Sequence, residues 1–289
     1  MANKPVTAAK LKRRLLISVA VFLAGAFAAR PESNTVVYLA NAQVIESSGL
    51  AFSQRRDDVL WTHNDSGDIP RLFAFDRTGR DLGTFAVEPA KAIDWEDICS
   101  ATIGGKPCLV ISDTGDNKRI RDHGILYVVE EPNLSIDRVA RVTQLIRFTY
   151  EDGPRNGEGL AVAPDEQVFY LISRGKKHER KLYELSFTGT VARLVISLNW
   201  PHVTAMDISR DGRHAVLLTH KDTAIEYRRN AGESWPQAFS HTPRVLPVPE
   251  AVQAEAICYS PDGNALYMTS EGLSCPLWRI EILPESPRP

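Results

Sequence analysis

The chain has 289 residues, a formal net charge of -2 and 43% apolar residues, a length that suits one large β-domain or two ordinary domains. Its 34 basic and 36 acidic residues are nearly balanced. There is no basic stripe of the kind that binds nucleic acid and no acidic tail of the kind that stays disordered.

The N-terminus has its own character. Lys10, Lys12, Arg13 and Arg14 precede an apolar run, Leu15 to Ala29, which is short and Ala-rich for a membrane span. Ala26-Phe27-Ala28 supplies an A-x-A cleavage pattern. Residues 1–28 are therefore expected to be a secretory signal peptide, with an uncleaved anchor as the alternative. Residues 29–289 are expected to form one domain, in the periplasm or outside the cell. That compartment permits disulfides. Cys99 and Cys108 lie on the two arms of an expected hairpin and are close enough in sequence to pair. Cys99 and Cys258, however, occupy the repeat position held elsewhere by Ala51 and Ala161, which marks a small buried site. No C-x-x-C spacing points to zinc.

In chain order, Thr35 to Ile45 is a β-branched run suited to a strand. Five copies of one layout follow. Ser48–Ser53 leads to Val59–Asp65, Glu96–Cys99 to Leu109–Asp113, and Glu158–Val162 to Val168–Arg174. Thr204–Ser209 leads to Ala215–His220, and Glu255–Ser260 to Ala265–Glu271. Gly104-Gly105 turns the second copy's hairpin. Arg210-Asp211-Gly212 and Pro261-Asp262-Gly263 turn the last two, because Asp-Gly and Pro-Asp favour the backbone angles of tight reversals. A third strand is expected at Leu72–Asp76, Ile125–Glu130, Leu182–Phe187, Thr223–Arg228 and Leu277–Leu283. A fourth is expected at Leu82–Val87, Thr143–Tyr150, Val191–Leu198 and Thr242–Val248.

Ser48, Glu96, Glu158, Thr204 and Glu255 fall in register, spaced 48, 62, 46 and 51 residues apart. A multi-stranded unit recurring at about 40–50 residues is the signature of a propeller blade. The expected fold is an all-β propeller with five blades. The alternative has six, the extra blade lying in the longer second copy. The fifth copy runs out of chain before a fourth strand, and the N-terminal run Thr35–Ile45 is free to close the ring.

A propeller gathers the starts of first strands and the ends of second strands at one mouth of its channel. Here they bring Ser48, Glu96, Glu158, Thr204 and Glu255 together with Asn64, Asp113, Arg174, His220 and Glu271, flanked by Asp65, Asp97 and Asp116. Crowded carboxylates either share protons or neutralise a cation. Oxygen-only ligands favour a hard cation, and Ca²⁺ suits an exported protein. Glu96, Glu158, Glu255, Asp113 and Asn64 are the expected metal ligands. Arg174 is placed to hold an anionic substrate group. His220 is the expected general base or acid, with a ring carboxylate such as Glu271 sharing the role. His63 reads as a loop residue bonded to Asp65, and Trp61 and Trp95 read as packing residues. There is no G-x-S-x-G elbow, H-E-x-x-H or P-loop.

The series His63-Asn64-Asp65-Ser66-Gly67-Asp68, Asp94-Trp95-Glu96-Asp97-Ile98, Gly115-Asp116-Asn117 and Asp152-Gly153-Pro154 leading to Glu158-Gly159-Leu160 resembles a group of secreted bacterial β-propeller proteins of uncharacterised function. The likeness runs over about residues 35–285. More distantly, the Ser-Gly-Leu-Ala blade start is similar to the six-bladed calcium-dependent lactonase and gluconolactonase propellers and to the SdiA-regulated family. The resemblance implies a channel Ca²⁺ bound by Glu, Asn and Asp. The motifs imply the fold more than an activity, and the activity expected of a metal at the mouth is hydrolysis of a lactone, ester or phosphoester, with His220 or a ring carboxylate activating water. The apparent blade number departs from that family. The alternative reading is a non-catalytic module holding a cell-envelope component. In either case a monomer is expected.

Overall fold

The computed structural model describes residues 35–163, 165–175, 180–200, 202–220 and 223–282. The expected signal peptide, residues 1–28, lies outside them. β1 (Thr35–Tyr38) comes first. β2 (Ser47–Phe52), β3 (Val59–Asn64), β4 (Arg71–Asp76) and β5 (Asp81–Glu88) then form an antiparallel meander. The second unit is β6 (Trp95–Ile103), β7 (Lys106–Asp113), β8 (Gly124–Glu130) and β9 (Val139–Tyr150). The third is β10 (Asn156–Ala163), β11 (Val168–Arg174), β12 (Lys181–Ser186) and β13 (Val191–Ser197). The fourth is β14 (Val203–Ile208), β15 (His214–Thr219), β16 (Thr223–Arg228) and β17 (Arg244–Pro247), with the short helix α1 (Trp235–Ala238) before its last strand. The fifth is β18 (Ala254–Tyr259), β19 (Ala265–Ser270) and β20 (Pro276–Glu281). Its outer edge is taken by β1, antiparallel to β20 with Thr35 opposite Arg279.

The N-terminal strand is shorter than its β-branched run, which continues to Ile45. Asn41 ends it, because its Oδ1 accepts the Gln43 N–H at 3.0 Å and closes a local turn. The extra length of the second copy goes into the long β9 and its loops. β9 also pairs in parallel with β5 and with β13, joining three units into one sheet.

The first strands β2, β6, β10, β14 and β18 pack in cyclic order, with β18 against β2. β2, β3 and β10 are buried throughout. A strand covered on both faces reads as an apolar run, whereas the outer β9 alternates. The core is divided among the gaps between units. Trp61 and Phe85 meet Trp95 and Tyr127 in one gap. Leu126 and Phe148 meet Leu160 and Phe169 in the next. Phe52 and Phe73 meet Tyr267 and Leu277 between the first and last units. Each fully buried aromatic contributes roughly 2–3 kcal/mol. Trp61 and Trp95 are buried, as expected of packing residues. Trp61 Nε1 donates to Glu131 at 3.1 Å, and Trp95 Nε1 to the Lys91 carbonyl at 3.0 Å.

Cys99 and Cys108 do not face each other. Cys99 lies opposite Val110 and Cys108 opposite Ala101, so the register puts the two thiols at different rungs. All four cysteines are buried and unpaired. Dithiothreitol is therefore expected to leave the unfolding midpoint unchanged. Thiol titration of the denatured, unreduced protein should return four thiols per chain. A count of two would reveal a disulfide.

Candidate functional site

The repeat position marked by Ser48, Glu96, Glu158, Thr204 and Glu255 is a β-bulge. In every unit the pairing of first and second strand slips there. Trp95 is opposite Asp113 and Asp97 opposite Ser112, so Glu96 has no partner. Glu158, Thr204 and Glu255 are skipped in the same way, and Ser48-Gly49 are skipped together. A bulge re-aims one side chain without ending the strand. The two hydroxyl residues use it to tie neighbouring units. Ser48 Oγ donates to the Glu96 carbonyl at 3.0 Å and Thr204 Oγ1 to the Ala254 carbonyl at 2.9 Å. The three glutamates are left at the channel mouth.

One carboxylate fastens the scaffold beneath them. Asp97 is fully buried. Its Oδ1 accepts the Ile98 N–H at 2.8 Å, and its Oδ2 accepts the N–H groups of Leu160 at 2.8 Å and Met206 at 3.2 Å. A single side chain thus binds the backbones of β6, β10 and β14.

Asp65, Asp94 and Glu96 present carboxylate oxygens within 4.8 Å of one another, all partly buried. Gly115 makes room for them, since a Cβ there would lie 2.3 Å from Glu96 Oε1 and 2.4 Å from Asp94 Oδ2. Burial and the neighbouring Asp65 push the Asp94 carboxyl up to about 6, against the pull of Arg121. Burial, then Glu158, Asp65 and Asp94, push Glu96 well above the ordinary range. Burial lifts Glu158 to about 7 although Arg174, with Nη1 3.4 Å from its Oε1, draws it down. Burial and Glu158 lift Glu255 to about 8. Burial and then Asp65 raise Glu271. His220 is half-buried, with Nδ1 3.8 Å from Glu255 Oε1 and its ring 5.8 Å from that of His202. Burial, Arg174 and His202 lower its pKa, which keeps it neutral.

Two of the expected ligands are committed elsewhere. Asn64 Oδ1 accepts the N–H groups of Ile45 and Glu46 at 3.2 Å, and its Nδ2 donates to the Gln43 carbonyl and Asp68. Asp113 is fully buried, holds Arg121 Nη1 at 2.7 Å and accepts the Asp94 N–H at 3.2 Å. Both satisfy partly buried backbone donors, which ties them to the scaffold rather than to the mouth. Asp116 likewise accepts the N–H groups of Ile120 and Arg121. His63 is a strand residue with no bond to Asp65. Its Nδ1 lies 2.9 Å from the Asn64 carbonyl and its ring stands edge-on to Trp95. Asp65, expected only to flank the ring, and Asp94, not among the expected site residues, instead lie with Glu96. Their place next to Asn64 and two residues before Glu96 was the available signal.

No protein-family model and no curated protein sequence matches the chain. Solved structures do. A gluconolactonase from Xanthomonas campestris, described as important in glucose secondary metabolic pathways, superposes with a TM-score of 0.51 at 12% identity, covering 89% of this chain and 93% of that one. A chain of a nidogen–laminin complex superposes with a TM-score of 0.50 at 16% identity, covering 78% and 73%. The likeness is one of fold. It makes this an all-β, propeller-like protein similar in architecture to a gluconolactonase.

Proposed function

We propose that this chain is an exported, monomeric five-bladed β-propeller, closed by β1, whose channel mouth holds a divalent cation and hydrolyses a lactone, ester or phosphoester. The observation that carries the reading is the convergence of Asp65, Asp94 and Glu96 within 4.8 Å. Three oxygen donors with no sulfur or nitrogen among them fit Ca²⁺. Glu158 and Glu255 complete the acidic ring. When bound, the cation supplies Lewis-acid polarisation of the ligand oxygen.

The remaining steps fall to side chains. His220, held neutral by burial, has Nδ1 toward Glu255, which leaves Nε2 to take a proton from water. Glu271, raised by burial, stands by as a second proton carrier. Arg174, bound only loosely to Glu158, offsets the carboxylate charge and faces the ligand's anionic oxygen. Support for a lactone over other substrates comes from the architectural likeness to the gluconolactonase.

The test is a screen of γ- and δ-lactones, aryl esters and phosphoesters with added Ca²⁺. Glu96→Gln should abolish both cation binding and turnover. Unchanged turnover in that variant would sink the reading. A blank screen favours the module that holds an envelope component. Its supporting observation is the set of exposed aliphatic side chains on loops of this same end, Ile69, Ile93, Ile120 and Leu273.

A further inference from the structure

Beside the carboxylate mouth lies a separate cleft of about 150 Å³, whose lining includes Thr114, Arg121, His123, Tyr150 and Arg155. The two sites share Arg121. Its Nη1 holds Asp113 Oδ1 at 2.7 Å and the Gly115 carbonyl at 2.9 Å, and Gly115 lies directly against Asp94 and Glu96.

Tyr150 is the anomaly of this cleft. It is only 7% exposed, and its hydroxyl is buried without a hydrogen-bond partner. The hydroxyl lies against Gly157, where an added Cβ would come within 2.7 Å of both Tyr150 Oη and Thr114 Oγ1. Leaving such a group unsatisfied costs about 1–3 kcal/mol, which a phenylalanine would avoid. Burial pushes the phenol well above its ordinary pKa, so it stays a donor.

The rest of the lining is also rich in donors. Arg121 makes its side-chain bonds through Nη1, leaving Nε and Nη2 without a bond to any described residue. Arg155 uses Nε and Nη2 on Asp152 and also lies against the Tyr183 hydroxyl. The one lining carboxylate, Asp122, has a side chain 95% exposed and is bonded to His123. Donors from Tyr150 and Arg121 thus outnumber the side-chain acceptors of the lining, Thr114 and the outward Asp122. A carboxylate supplies two acceptor oxygens in the plane that a guanidinium fork matches.

We infer that this cleft seats a carboxylate group of the ligand, so that the substrate taken at the mouth is an acid-bearing lactone or ester. The substrate class rests on the hydrolase reading, whereas the carboxylate subsite does not.

The experiment compares two γ-lactones on the full chain. One carries a carboxylate on the ring (5-oxotetrahydrofuran-2-carboxylate) and the other a methyl group at that position (γ-valerolactone). Binding is read by ligand-observed NMR and ring opening by proton release. The carboxylated probe should bind about tenfold more tightly, the worth of one charge-assisted hydrogen bond. Tyr150→Phe should shrink that ratio toward one while the unfolding midpoint holds or rises. Equal binding of the two probes, a ratio unchanged in Tyr150→Phe, or a sharp fall in its midpoint would overturn the subsite. A tenfold preference without ring opening upholds the subsite and removes the hydrolase reading instead.

Discussion

Ca²⁺ at 100 times its dissociation constant should stabilise the folded chain by about 2.7 kcal/mol, a rise of roughly 5–10 °C in midpoint for a domain of this size. The rise should be larger at pH 8.5 than at pH 5.5. The sign follows from the carboxylates. Asp94 at about 6, Glu158 at about 7, Glu255 at about 8 and Glu96 well above its ordinary value all bind protons more tightly when folded than when unfolded. Without a cation, the native state keeps protons that the unfolded chain has already released. Stability is then fully present at acid pH and falls as pH rises from near the ordinary 4.5 toward about 8. A cation displaces those protons, so its affinity climbs over the same window. Thermal scans with Ca²⁺, Mg²⁺ and chelator across that range check both halves. A midpoint blind to Ca²⁺ at pH 8.5 would remove the metal site. Glu96→Gln should lose the Ca²⁺ response and, in chelator at high pH, should be more stable than the parent.

Asp97→Ala should be the most damaging substitution in the scaffold. It strips acceptors from three buried backbone N–H groups on three different first strands at once. At about 1–3 kcal/mol for each orphaned donor, a loss of about 4 kcal/mol is expected, a large share of a domain's stability. Asp97→Asn retains one carbonyl oxygen and should lose less. Urea unfolding of both variants measures the difference. A cost below about 1 kcal/mol for Asp97→Ala would mean that the three strands hold their places without it.

Much of this arrangement is legible in the sequence because the bulge repeats. Ser48, Glu96, Glu158, Thr204 and Glu255 align in the chain, and the same residues break the ladder in all five units. Strand order follows from the same periodicity, and the Gly104-Gly105 reversal carries the positive φ angles, 58° and 77°, that its glycines imply. The candidate carboxylate cluster was less legible. Asn64 and Asp113 have the right chemistry at strand ends, but sequence does not reveal which backbone N–H groups lack partners. Those donors claim both side chains. Asp65 closes the first copy and Asp94 lies two residues before Glu96, both just beyond strand ends, where the repeat spacing alone does not single them out. Asp97 looks like one more acid of the ring, yet its neighbours in space are Leu160 and Met206, far along the chain. The cleft around Tyr150 left no mark in the sequence, because it forms where the β7–β8 and β9–β10 loops meet.

The pairing of β1 with β20 has a consequence for the order of events in synthesis. Thr35 is among the first residues of the folded domain to emerge, and its partner Arg279 is among the last. The first four units have all their strands before β20 is made, but the outer edge of the fifth gains its partners only with β20. A stop codon ahead of Pro276 would delete β20, strand β1 without a partner and bare the edge of β19. The edge of β19 is therefore covered only once β20 has been made, and until then it is open to proteases and to other chains.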